Sequence, residues 1–408
     1  MQFRPYQQEI IQKGSEIIAR YSFLYLAMEV RTGKTLTSFG IAQAIKVSSV
    51  LFVTKKKAIS SIEKDYEILQ PSFNIQIINY ESLHKIEGKY DLIIFDEAHG
   101  MGAFPKPSKR AKQAKLLVMQ NKCYVILLSG TPTPESYSQM YHQVFFCTNN
   151  PFGMYKNFYR FADDYVEVVE RKFNSMPVRD YSGGHISIIE KMKPFTITYT
   201  QKEAGFLVEN KEQVLLVDID PKTLNMIRQL KKDLVIQGKT EDILADTAVK
   251  LMSKVHQLCS GTVKFESGNS MVLDYSKANY IKKYFAKKKI GIFYKFKEEL
   301  SALKEVFKDN VCTTLEEFDS TNKNIALQIQ SGREGISLKN AEALVYYNID
   351  FSATSYWQSR DRMTTKDRRK NNIYWVFSRK GIESQIYKTV TNKKDYTLSH
   401  FKSDIKRI

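Results

Sequence analysis

The stretch Phe23–Thr35, FLYLAMEVRTGKT, decides the fold. Phe23–Met28 is apolar throughout, the pattern of a strand buried on both faces of a parallel sheet. A short turn then delivers Gly33-Lys34-Thr35, the core of a phosphate-binding loop. In such a loop the glycine lets backbone approach phosphate, the lysine reaches the β- and γ-phosphates, and the threonine hydroxyl ligates Mg²⁺. The helix expected from Leu36 to about Ile45 aims its first N–H groups at the same anion. The glycine that usually opens the motif is absent, because Met28 occupies its place.

A nucleotide site of this kind needs carboxylates, one for Mg²⁺ and one for the attacking water. Asp91–His99, DLIIFDEAH, is a second buried strand and ends in Asp96, Glu97 and His99. Residues at the C-terminal end of a parallel strand face the crevice where ligands bind. Asp96 is therefore the expected metal residue, directly or through water, and Glu97 the residue that orients and deprotonates water. A third strand, Cys123–Leu128, ends in Ser129-Gly130-Thr131-Pro132, a tight turn carrying two hydroxyls.

Together these three segments resemble the superfamily 2 helicases and translocases, closest to the Swi/Snf-like, DEAH-containing branch and its bacteriophage members. Phe3–Gln7 resembles that branch's adenine-reading motif, with Arg4 and Gln7 as the contacts. Val50–Thr54 with Lys55–Lys57 resembles motif Ia, Asn79–Glu81 motif Ib, and Ser129–Pro132 motif III. In the second half Gly291–Leu300 resembles motif IV, Ser331–Leu338 motif V and Gln358–Arg362 motif VI. The resemblance implies ATP and Mg²⁺ as cofactors. It implies nucleotide binding by Arg4, Gln7, Arg31, Thr32, Gly33, Lys34, Thr35, Asp96, Gly335 and Gln358, with Thr35 and Asp96 on the metal. Coupling would pass through His99, Ser129 and Thr131. Nucleic acid, most readily DNA, would meet Lys55, Lys109, Arg110 and Arg333.

Motif VI departs from the family's Q-x-x-G-R-x-x-R. Counted from Gln358, Asp361 replaces the glycine, Arg362 is the first arginine and Thr365 replaces the second. An arginine that stabilises charge on the γ-phosphate contributes roughly 10³–10⁵ in rate. Arg362 is the expected catalytic arginine beside Lys34 and Glu97, and Arg360 is the alternative.

The 408 residues carry a net charge of +18 and a pI of about 9.4, which points to a polyanionic partner rather than to a fold. A lysine-biased genome would also raise the charge, but the cations cluster. Lys106, Lys109, Arg110, Lys112 and Lys115 crowd the segment after Asp96–His99. From Lys366 to Ile408 there are 12 Lys or Arg against 4 Asp or Glu, a net of +8. Cys123, Cys147, Cys259 and Cys312 form no CxxC pair, which suits buried free thiols and gives no zinc site. No secretory segment or long apolar run is present, so the expected location is cytoplasmic, in the host if the chain is viral.

Strand-like runs at Phe23–Met28, Val50–Thr54, Ile75–Ile78, Leu92–Phe95 and Tyr124–Leu128 alternate with helical stretches, the signature of a parallel α/β sheet. The expected class is α/β with two RecA-like lobes in tandem: residues 1–145, a mainly helical region at 146–275, and residues 276–408. Strands Ile290–Tyr294, Ile325–Ile329, Ala343–Tyr347 and Ile373–Phe377 belong to the second lobe. ATP held by one lobe and met by an arginine of the other would couple hydrolysis to movement on duplex or branched DNA. The alternatives are an RNA-directed helicase and a basic nucleic-acid-binding scaffold without turnover.

Overall fold

The apolar runs become the central strands of two parallel sheets. In the computed structural model residues 2–173, 176–206, 208–238, 241–332, 336–365 and 367–392 are described. They divide into two compact units, 1–205 and 206–408.

The first unit holds β1 (Phe23–Met28), β2 (Ser49–Thr54), β3 (Asn74–Asn79), β4 (Leu92–Phe95), β5 (Tyr124–Leu128), β6 (Val166–Phe173), β7 (Met176–Gly184) and β8 (Thr196–Tyr199). Six of these form one sheet in the order β3-β2-β4-β5-β1-β8, parallel throughout. Alternate residues of each strand enter different cores. Leu24, Leu26, Phe52, Ile94 and Ile126 pack on one face; Phe23, Tyr25, Leu51, Ile93 and Leu127 pack on the other. Burial on both faces explains why the sequence shows unbroken apolar runs rather than alternation. The helix Pro5–Tyr21 begins with Pro5 in its first turn and ends at Ser22 in the left-handed conformation. It lies so close to the helix Lys34–Ala44 that a Cβ on Gly14 would come 2.7 Å from Ile41 Cδ1.

The second unit holds β9 (Glu209–Val217), the short pairs β10 (Val235–Ile236) with β11 (Ile243–Leu244) and β12 (Thr262–Lys264) with β13 (Ser270–Val272), then β14 (Ile290–Tyr294), β15 (Val311–Cys312), β16 (Asn324–Gln328), β17 (Ala343–Tyr346) and β18 (Lys370–Ser378). Its main sheet runs β15-β16-β14-β17-β18-β9, again all parallel. Ile290, Ile292 and Val345 pack on one face; Phe293, Tyr346 and Trp375 pack on the other. Both lobes of the expected α/β class are thus present.

Residues 146–275 are shared between the units. β8 extends the first sheet beside β1, while β9 pairs with all nine residues of β18 in the second. The region also carries the two-stranded antiparallel ribbon β6–β7, which is a sheet of its own. Strands stand beside the helices of this region, and the partner each strand takes is set by long-range packing.

Candidate active site

Three adjacent strands, β4, β5 and β1, run parallel and end at one edge of the first sheet. Their ends carry the DEAH segment, the Ser129–Pro132 turn and the Gly33-Lys34-Thr35 loop. With neighbouring strands about 4.8 Å apart, the ends of β1 and β4 stand about 10 Å apart with β5 between them.

After Met28 the chain turns through Glu29–Thr32, held by the Thr32 hydroxyl donating to Glu29 O at 2.7 Å. Arg31, at φ 67°, and Gly33, at φ 81°, both take left-handed backbone, and Gly33 caps the helix Lys34–Ala44. The glycine is needed for space as well, because a Cβ there would sit 2.7 Å from Gln7 Nε2. Lys34 Nζ donates to Met28 O at 2.9 Å and Glu29 O at 3.2 Å. Gln7 is buried and donates to Thr37 Oγ1 at 3.3 Å, while Arg4 N–H donates to Gln7 Oε1 at 3.1 Å. Tyr6 donates to Thr32 O at 3.0 Å and stacks on Tyr199 at 4.6 Å. The amino-terminal motif and the phosphate-loop pattern therefore lie side by side. Tyr199, at the end of β8, was not among the expected residues.

Asp96 is half-buried, and Thr54 donates to its Oδ2 at 2.8 Å. Burial, and then the neighbouring Glu97 carboxylate, push its pKa up to about 6, against the pull of the Thr54 hydrogen bond and Lys34. Thr54 follows directly from strand register: Val53 pairs with Phe95, so the next residues are neighbours. Tyr80 donates to Asp96 O at 2.6 Å and keeps its proton, through burial first and the Asp96 and Glu97 charges second. Glu97 adopts left-handed backbone at φ 50°. His99 Nδ1 lies 3.2 Å from Glu97 Oε2 and 3.0 Å from Ser129 Oγ, and Thr131 N–H donates to the same Ser129 hydroxyl at 3.1 Å. Thr131 Oγ1 is itself buried with no hydrogen-bond partner among the described residues. The three expected coupling residues thus form one cluster against Glu97.

A model of the SNF2-related domain family matches residues 30–264, more than half of the chain, including the Gly33-Lys34-Thr35 loop, the DEAH segment and the Ser129–Pro132 turn. The chain belongs to the SNF2-related domain family. Family membership implies use of ATP. No curated protein matches the SNF2-related chain. Among solved structures it is similar to the Sulfolobus solfataricus SWI2/SNF2 ATPase core in complex with dsDNA, at 16% identity and a TM-score of 0.42, over 99% of this chain and 93% of that one.

In the second unit of the SNF2-related chain, Arg362 is buried and directs Nε and Nη2 to Gln358 O, at 3.1 and 2.8 Å. Arg360 is held differently. Its Nη1 is paired with Glu212 and lies 3.1 Å from Tyr356 Oη, and its guanidinium stacks over Trp357 at 4.2 Å. Glu212, on β9, also accepts from Tyr356, Trp375 and Tyr387. Its place at the centre of this cluster was invisible in sequence, since nothing local ties it to motif VI. Of the expected nucleic-acid residues, Arg110 pairs with Glu81 and lies over the Tyr80 ring, and Lys109 is exposed at the start of the helix Lys109–Asn121. Lys55 precedes a short 3₁₀ turn after β2. Arg333 and Gly335 lie outside the described residues. All four cysteines are buried free thiols. Among the described residues no helix is long and apolar enough to cross a membrane.

Proposed function

We propose that this chain is a DNA-dependent ATPase that converts ATP hydrolysis into movement along duplex DNA. One observation carries the reading: Lys34, Asp96, Glu97, His99 and Ser129 share one edge of one sheet, at the ends of three neighbouring strands. Gly33–Thr35 would take the β- and γ-phosphates. Thr35 and Asp96 offer two oxygens, the sparse donor set that suits Mg²⁺, which completes its shell with phosphate oxygens and water. The bound ion would supply charge neutralisation at the phosphates. Asp96 must be ionised to hold it, and a nearby dication would favour that form. Glu97 would orient and deprotonate the water, with His99 fixing its carboxylate. Arg4 and Gln7 would read the adenine, and Gln358 would lie beside the nucleotide. Arg362 would stabilise charge on the γ-phosphate; Arg360 is the weaker candidate because Glu212 engages it. Lys55, Lys109 and Arg110 would grip phosphates without regard to sequence.

ATP turnover with and without duplex DNA, single-stranded DNA or RNA tests the reading. The expected result is stimulation by duplex DNA, its loss in Lys34→Ala, and a fall in kcat of roughly 10³ in Arg362→Lys, which keeps the charge but not the planar fork. Turnover indifferent to every nucleic acid, or Lys34→Ala behaving as wild type, would overturn it.

A further inference from the structure

Because a glycine is missing from the opening of the phosphate loop, Met28 is still a strand residue. It pairs with Tyr199, the last residue of β8. The contact continues past the end of both strands. Glu29 N–H donates to Tyr199 O at 2.9 Å, and Gln201 N–H donates to Glu29 Oε2 at 2.7 Å. Gln201 Nε2 then donates to Val30 O at 2.9 Å. Tyr199 also stacks on Tyr6, which donates to Thr32 O. Glu29, Val30 and Thr32 are thus tied to Tyr199 and Gln201, directly or through Tyr6.

The tie to Val30 bears on the shape of the loop. A trans peptide points its C=O and N–H in opposite directions, so fixing Val30 O on Gln201 sends the Arg31 N–H the other way. Arg31 takes left-handed backbone at φ 67°, which a non-glycine residue keeps only where its surroundings impose it. The two carbonyls before Val30 are engaged differently, since Met28 O and Glu29 O accept from Lys34 Nζ. Without the Gln201 donor the Val30–Arg31 peptide can turn over and present a carbonyl where an anion needs N–H groups.

The segment that supplies this donor is closed on itself. Glu203 Oε2 accepts from the Thr200 N–H at 2.6 Å and the Thr200 hydroxyl at 2.7 Å. Tyr199 Oη donates to Glu203 O at 3.1 Å, and Ala204 N–H donates to Thr200 O at 3.1 Å. A turn ordered in this way before a ligand arrives loses little freedom on binding.

We propose that Gln201 and Tyr199 are positioning residues for ATP, holding the Glu29–Thr32 side of the phosphate loop in the shape that receives the triphosphate. The proposal rests on the reading of Gly33–Thr35 as the phosphate site and adds to it a support from the end of β8. Titration with a fluorescent ATP analogue and steady-state turnover of the full chain test it. Gln201→Glu keeps the size of the side chain and sets an acceptor against Val30 O. It is expected to weaken analogue binding and raise KM for ATP by roughly ten-fold, while kcat changes far less. Such a split marks lost binding rather than lost chemistry. Tyr199→Ala, which removes the stack beneath Tyr6, should move KM the same way. Gln201→Lys restores a donor and should bring KM back towards the wild type, a difference that a merely space-filling side chain would not show. Thermal melts without nucleotide show that the variants fold. Wild-type KM and affinity in both Gln201→Glu and Tyr199→Ala overturn the proposal. So does an equal rise of KM in Gln201→Glu and Gln201→Lys, or a fall in kcat with KM unchanged. Lys34→Ala, measured beside them, separates the two failures: if it binds the analogue as tightly as the wild type, the phosphate-site reading itself falls.

Discussion

Asp96 shows how far single residues could be read in advance. Its position at the end of an apolar strand, after a Gly-Lys-Thr loop, made it the expected metal residue, and the structure places it directly after β4. Its partners were not legible, because Thr54 and Tyr80 come from segments 42 and 16 residues away. They have a consequence for stability. The carboxyl titrates near 6 in the folded chain and near 3.9 when unfolded. Between these values the folded state holds the proton and the unfolded state does not, so stability falls as pH rises from about 4 to about 6. Above pH 6 the full penalty applies, on the order of 3 kcal/mol. Asp96→Asn, whose amide oxygen can still accept from Thr54, should therefore raise the melting temperature of the nucleotide-free protein at pH 7.5. The gain should fade as pH drops through 6 towards 4. The same substitution should abolish Mg²⁺-dependent turnover. An equal Tm for both proteins across this range would contradict the assigned environment.

At the scale of elements, the strands that read most clearly were those buried on both faces. β1, β4, β5 and β14 have the limits expected from their apolar runs. β9 is harder to read, because only Val214–Val217 is apolar and Glu209–Glu212 is polar and gives no strand signal. That polar start is where Glu212 gathers Arg360, Tyr356, Trp375 and Tyr387, joining β9, β18 and the motif VI helix Ala353–Ser359 with its following turn. Removing the carboxylate leaves a half-buried guanidinium without its paired carboxylate and three donors without their acceptor. Glu212→Ala is expected to cost about 3–5 kcal/mol, read as a lower urea midpoint at unchanged m-value. Glu212→Gln keeps an acceptor and should cost less. An unchanged midpoint in Glu212→Ala would show that the cluster is not holding β9 in place.

For the whole molecule, each of the two units encloses its own sheet between two cores, so damage in one need not unfold the other. The sequence implied two lobes through paired sets of motifs, yet it could not place their boundary, since β8 and β9 look alike as apolar runs and join different sheets. A buried ion pair in the second unit lets this independence be tested. Lys277 Nζ lies 2.6 Å from Glu383 Oε1 with both side chains inaccessible, and it also donates to Tyr347 O at 3.2 Å. Deleting one partner strands the other charge, at a cost of about 3–5 kcal/mol, whereas replacing both by apolar residues is often neutral. Lys277→Met should therefore split the thermal unfolding of the full chain into two steps. The second unit melts early, and the transition of the first, followed by its stabilisation with ATP, stays where it was. Lys277→Met combined with Glu383→Leu should bring the early step back towards the wild type. If Lys277→Met instead lowers one undivided transition and weakens ATP stabilisation in parallel, the two units fold as a single cooperative body.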